Sequence, residues 1–160
     1  MKFHLTKIVI TVFCFPLISQ TVSKTGTTAA QFLKIGIGAR ALGMGGAYSA
    51  VSNDVTALYW NPAGLSSSRK NGIILDHQDW IMDVDLDFIG GSYKTPFGTI
   101  GAAISAMHMG EMEVTTTRDP EGTGEKFSAG SMMGQLTFSR FITDRFAFGV
   151  TAKVIRESIY

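Results

Sequence analysis

The chain has 160 residues, 45% of them hydrophobic, with 14 Lys and Arg against 13 Asp and Glu. So even a balance provides no basic stripe for nucleic acid or for an anionic surface. One cysteine, Cys14, excludes a disulfide framework.

The first predicted element is a secretory signal peptide over residues 1–23. Lys2 and Lys7 form its basic start, and Ile8 to Ile18 (IVITVFCFPLI) is an apolar run interrupted only by Thr11 and Pro16. That run is too short to cross a bilayer as a helix. Cleavage is expected between Ser19 and Ser23, where Thr21-Val22-Ser23 meets the small-x-small rule loosely. Bulky Phe13 ahead of Cys14 argues against lipoprotein processing, and the cysteine leaves with the leader. Cleavage after Ser23 leaves twelve basic residues against thirteen acidic ones, a formal charge of −1. No later apolar stretch approaches the ~20 residues of a spanning helix, so a mature chain entering a membrane does so as strands. The 18 glycines and 11 phenylalanines suit a barrel, with small inward residues and aromatic girdles, better than an enzyme core.

Next comes the glycine-rich stretch Gly36 to Leu65. Gln31 to Ile35 reads as a candidate strand, Gly36-Ile37-Gly38-Ala39-Arg40-Ala41 is close to a dinucleotide-binding fingerprint, and Asp54 lies near the distance of a ribose-binding acid. The context defeats that reading. The fingerprint needs a helix opening at the glycines, which Gly43, Gly45 and Gly46 break within one or two turns, and export removes the protein from the nicotinamide pool. No cofactor is expected.

Gly38-Ala39-Arg40-Ala41-Leu42-Gly43-Met44-Gly45-Gly46-Ala47 and Leu58-Tyr59-Trp60-Asn61-Pro62-Ala63-Gly64-Leu65 resemble the N-terminal segment of PorV/PorQ-type proteins, within the FadL-like outer-membrane β-barrel group. A weaker likeness runs through Tyr93 to Gly98, Ile142 to Phe146 and Ile155 to Ser158. Members of that group are longer. The resemblance implies an all-β fold, an antiparallel transmembrane barrel incomplete in this chain, with residues 24–70 forming a plug inside it. Gly38, Arg40, Gly43, Gly45, Gly46, Asn61, Pro62, Ala63 and Gly64 are then the plug motif. Its glycines and alanines allow close packing against the wall, and Ser52 or Asn53 caps a short helix whose first turn contains Asp54. Tyr59 and Trp60 anchor the helix end, and Asn61-Pro62 turns the chain towards the first strand. Read plainly, Asn61 to Gly64 is a helix-stopping turn, which is compatible with that role. The resemblance further implies a non-enzymatic part in type IX protein secretion, with outer-membrane lipid, secretion components and secreted cargo as partners. A FadL-like channel for hydrophobic molecules is the alternative, and a secreted soluble β-sandwich adhesin the second.

From Ile73 onward, within residues 71–160, segments of about ten residues alternate with period two. Ile100, Ala102, Ile104 and Ala106 oppose Thr99, Gly101, Ala103 and Ser105. Met132, Gly134, Leu136 and Phe138 oppose Ser131, Gln135, Thr137 and Ser139. Phe146, Phe148, Val150, Ala152 and Val154 oppose Ala147, Gly149, Thr151 and Lys153, with Ile155 out of pattern. Ile73 to Asp79 and Asp85 to Lys94 alternate poorly, since Ile89 and Tyr93 share the Asp87 face. The same alternation suits a soluble sandwich with one wet face.

Thr95 to Gly98 and Ile142 to Arg145 read as tight turns, and Gly110 to Ala129 as a long loop. Five strands threaded up and down place both tight turns on one side, with Tyr93, Phe97, Phe141 and Phe146 as an aromatic rim there. Closure takes about eight strands, and open edges in lipid cost several kcal/mol per unpaired group, so the chain reads as part of a larger barrel or assembly.

Asp83, Asp85 and Asp87 imitate a calcium loop, but Phe88 replaces its glycine and Lys94 its bidentate glutamate. A looser cation site with Asp76 and Asp79 competes with the simpler reading of a solvated rim. Met107, His108, Met109 and Met112 read as a strand end before they read as a soft-metal site. His77 and His108 lack a catalytic constellation, so no catalytic or metal-ligating residue is assigned.

Overall fold

The computed structural model describes residues 29–81 and 83–159. The expected signal peptide, residues 1–23, and residues 24–28 lie outside the described residues.

Alternating apolar and small residues form a five-stranded antiparallel sheet in the order β1-β2-β3-β6-β7: β1 Gly72–Trp80, β2 Val84–Thr95, β3 Gly98–Met109, β6 Ala129–Thr143 and β7 Phe146–Ile159. The fold is all-β and antiparallel. The sheet does not close on itself, and β1 and β7 are its edges among the described residues. Two-residue turns join β2 to β3 and β6 to β7 at one end, where Thr95 pairs with Gly98 and Thr143 with Phe146. Hydroxyls tie both turns: Thr95 Oγ1 donates to the Gly98 carbonyl at 2.7 Å, and Thr143 Oγ1 accepts from Phe146 N at 3.1 Å. The long connection leaves from the other end. It is not bare loop, since β4 (Met112–Glu113) and β5 (Lys126–Phe127) pair within it.

One face of the sheet is covered by residues 29–71 and the other is bare. The covered face buries Thr99, Ser105, Ser131, Gln135, Thr137 and Ser139, while Ile100, Ile104, Leu136, Phe138, Phe148, Val150 and Val154 stand exposed on the opposite face. Between β3, β6 and β7 the two faces follow strand parity.

β1 and β2 are as regular as the rest, paired in unbroken register from Gly72↔Ser92 to Trp80↔Val84. Their pattern is blurred because Leu86 and Phe88 point to the covered face, where they meet Phe32, Ile37, Leu58 and Leu65 in the core, with Ile74 packed alongside. Apolar residues are therefore present on both faces of this corner. Gln31–Lys34, a candidate strand in the dinucleotide reading, is a 3₁₀ turn that delivers Phe32 to that core.

Candidate functional site

The N-terminal segment reaches the sheet through short elements: α1 (Ala39–Gly43), α2 (Ala57–Trp60) and a 3₁₀ turn over Pro62–Ser67. α1 stops after five residues, which leaves no long helix behind the glycine fingerprint. Asp76 and Gln78, alternate residues on the covered face of β1, hold its beginning. Gly38 N donates to Asp76 Oδ2 at 3.2 Å, and Gln78 Nε2 donates to the Gly36 carbonyl at 2.9 Å and to Asp76 Oδ2 at 2.7 Å.

Arg40 works within the segment. Its guanidinium lies 5.4 Å from the centre of the Tyr48 ring and donates to Tyr48 Oη at 3.3 Å, and Tyr48 in turn donates to Asp54 Oδ2 at 3.2 Å. The other Asp54 oxygen accepts from Thr56 N at 2.9 Å and from the Thr56 hydroxyl. Neither Ser52 nor Asn53, the expected caps, closes α2: its N-cap position is Thr56, which makes no side-chain cap bond, and Asp54 instead ties the turn just ahead of the helix; Ser52 Oγ turns back to the Ser49 carbonyl at 3.3 Å.

Gly43 and Gly45 border open space, so close packing on the sheet is not their role. Gly45 and Gly46 adopt φ of 64° and 79° in the turn that ends α1, with Gly46 N donating to the Ala41 carbonyl at 3.0 Å. Ala47 is likewise exposed.

Tyr59 and Trp60 fix the end of α2. Tyr59 Oη donates to the Leu33 carbonyl at 2.8 Å, and Trp60 Nε1 donates to the Ile37 carbonyl at 2.9 Å. Burial pushes the Tyr59 phenol above its ordinary range, so it stays a donor across neutral pH.

Asn61 to Gly64 form the closest contact with the sheet. Asn61 Oδ1 accepts from Ala63 N at 3.2 Å, its amide donates to the Ser49 carbonyl at 2.9 Å, and Pro62 takes the first position of the 3₁₀ turn. Ser139 on β6 clips this turn, its hydroxyl donating to the Ala63 carbonyl at 3.1 Å and accepting from Ser66 N at 3.1 Å. Gln135, also on β6, donates to the Leu58 carbonyl at 2.9 Å. At Gly64 a Cβ would stand 2.8 Å from Ser52 Oγ and closer still to the Ser52 carbonyl. Gly149 on β7 faces the turn across a gap too small for a methyl group. A Cβ there would lie 2.8 Å from Ala63 Cα and closer still to Pro62 C and Ala63 N. At the far end, Ala30 N donates to Glu157 Oε1 at 3.0 Å.

Gly38, Pro62 and Ala63 thus meet the sheet, whereas Arg40, Gly43, Gly45, Gly46, Asn61 and Gly64 shape the segment itself. Gln135, Ser139 and Gly149 are the sheet's own contribution, signalled in the sequence only by their small or polar parity. Asn61→Ala removes a capping acceptor and a donor together. It is expected to lower stability by about 1 kcal/mol, read as a shift in the denaturant midpoint at constant m-value.

The bare face is ordered in rows set by the register. Leu75, Ile89, Ile104, Gly134 and Val154 make one row; Ile73, Gly91, Ala102, Leu136 and Ala152 the next; Tyr93, Ile100, Phe138 and Val150 the third. Beyond the third, at the tight-turn end of the sheet, Phe97, Phe141 and Phe146 join Tyr93 as exposed aromatic residues. Before the first, at the opposite end, stand Asp79, His77, Asp85, Asp87 and His108. Apolar rows are bounded on one side by an aromatic rim and on the other by charge. No helix among the described residues is long and apolar enough to cross a membrane.

Comparison with known family models, with curated proteins and with solved structures finds no match to this chain.

Proposed function

We propose that this chain forms part of an outer-membrane β-barrel of the PorV/PorQ-like type, exported by its leader, with residues 24–70 as a plug inside the barrel and the strands from 71 onward as wall. The observation that carries this reading is the inverted polarity of the sheet. A sheet with one wet face buries its apolar side and leaves its polar side to water. Here the Ser, Thr and Gln face is the covered one, and Ile73, Leu75, Leu136 and Val154 are 82%, 73%, 68% and 77% exposed on the other.

Fully burying such a side chain stabilises by about 1.5–3 kcal/mol. Keeping these four in water therefore forgoes roughly 6–12 kcal/mol, comparable with the entire stability of a small domain at about 5–15 kcal/mol. Lipid removes that penalty, which weighs against the soluble sandwich.

The dimensions agree. From Val154 to Phe146 along β7, eight residue steps at about 3.4 Å each cover roughly 27 Å, which a tilt of about 40° projects to about 21 Å. An outer-membrane barrel presents an apolar band of about 25 Å. In this reading β1 and β7 pair with further strands, because closure takes about eight and unpaired edges are costly in lipid.

The role in type IX secretion rests on the likeness of the 38–47 and 58–65 segments to PorV/PorQ-type proteins, with secretion components and cargo as partners. Chain packing and passage at such a site need no covalent chemistry. Deleting the gene in its native bacterium is expected to leave surface-destined proteins inside the cell while uptake of hydrophobic compounds continues. Normal export with lost uptake would replace this role by that of a FadL-like channel.

A further inference from the structure

We infer that His77, Asp79 and Asp85 form a binding site for a divalent transition-metal ion at the end of the sheet opposite the tight turns. His77 and Asp79 lie two residues apart on β1 and so share the bare face, and the register sets Asp85 directly across from Asp79 and Asp87 directly across from His77. One donor atom from each of His77, Asp79 and Asp85 lies within 4.8 Å of the other two. Donors held about 2.1 Å from a common ion sit roughly 3–4 Å apart, so small rotations of these exposed side chains complete the geometry.

Two features of the cluster point to a metal rather than to a solvated charged edge. The first is the orientation of the imidazole. His77 Nδ1 is 2.8 Å from Asp87 Oδ1, and Nε2 faces the remaining carboxylates, 3.1 Å from Asp79 Oδ1. With Nδ1 engaged by Asp87, Nε2 is the nitrogen left for an ion, on the side of Asp79 and Asp85, the carboxylate–histidine–metal relation that fixes a ligand's tautomer. The second is the opposition of Asp79 and Asp85. Like charges directly across a ladder are destabilising, and a cation between them reverses the sign of that term. His108, whose Nε2 is 3.7 Å from Asp85 Oδ2 and which faces Asp85 from β3, is placed to supply a fourth ligand.

The donor set selects the ion. Calcium and magnesium take oxygen ligands, whereas mixed imidazole and carboxylate donors suit zinc, cobalt and manganese. Asp76 does not take part, because it is turned to the covered face and engaged by Gly38 and Gln78. The site depends on the β1–β2–β3 register alone and stands whether or not the bare face meets lipid.

The test is a cobalt(II) titration of the full-length protein in detergent, followed by visible absorption and then by displacement with zinc. A saturable imidazole-ligated cobalt spectrum is expected, lost in His77→Ala and in Asp85→Asn, and weakened about ten-fold or more in affinity by Asp87→Asn. Asp144→Asn, in the distant β6–β7 turn, is expected to leave the titration unchanged. No saturable spectrum in the wild-type protein, or the same spectrum in His77→Ala with its β-sheet circular dichroism intact, would overturn the site.

Discussion

Leu136→Arg is expected to cost about 2–4 kcal/mol in the membrane-assembled state, the largest effect of any single substitution on the bare face. Leu136 lies in the middle apolar row, level with Ile73 and Ala102, and faces away from the covering segment. A guanidinium at that depth has no carboxylate in its own row, and it must distort the bilayer or carry water with it. Phe138→Arg, one row towards the rim, is expected to cost nearly as much, and Phe148→Arg less. Phe97→Arg, in the turn at the aromatic rim, is expected to cost about 0–1 kcal/mol, because interfacial depth lets the side chain reach water. The measurement is reversible unfolding in lipid vesicles, with the fraction folded read from heat-modifiable gel migration. The gradient with depth is the diagnostic feature. Equal and small effects at Leu136 and Phe97, or improved solubility of Leu136→Arg without lipid, would place the face in water.

Gly149→Ala is expected to loosen the N-terminal segment from the sheet while leaving strand pairing in place. The added methyl would press on Pro62 C, Ala63 N and Ala63 Cα, all of them backbone atoms. A side chain could rotate away; a backbone held by Ser139 and by the Asn61 cap cannot. Overpacking of this kind costs about 1–3 kcal/mol, and the strain is relieved by displacing the Asn61 to Gly64 turn. Gly134→Ala is the matched control, since a Cβ there meets nothing within 4 Å. Limited trypsin digestion is expected to cut after Arg69 and Lys70 faster in Gly149→Ala than in the wild type, and at the wild-type rate in Gly134→Ala. Identical digestion of all three would show that the turn does not bear on β7.

Much of the sheet is legible in the sequence because three of its strands sort cleanly by parity. Thr99, Ser105, Ser131, Gln135, Thr137 and Ser139 alternate with Ile100, Ile104, Met132, Leu136 and Phe138, and small or polar against greasy survives any choice of partner. In β1 and β2 the covering segment brings its own apolar residues, so Ile74, Leu86 and Phe88 turn inward and the contrast between faces fades. The Asn61-Pro62 turn is readable from local chemistry, since both the cap and the proline act within three residues.

What local chemistry could not reveal are pairings across distance. Ser139 meets Ala63 and Ser66 from 76 and 73 residues away. Nothing near Gly149 in the chain marks it as the point where the turn comes to rest. The same holds for the charged end. Asp76 and Asp79 look like neighbours in sequence, but three residues along a strand place them on opposite faces, while Asp85 and Asp87 reach His77 and Asp79 only through the hairpin register.

The most direct test of the central claim is collisional accessibility of single nitroxide labels in lipid vesicles, read by electron paramagnetic resonance. Cysteines are placed at Ile104, Leu136 and Val154 on the bare face and at Thr137 and Gln135 on the covered one, in a Cys14→Ser background. High oxygen and low nickel-complex collision rates are expected at Ile104, Leu136 and Val154, with both rates low at Thr137 and Gln135. Nickel collisions at Leu136 as frequent as on a water-exposed loop would contradict a lipid-facing sheet.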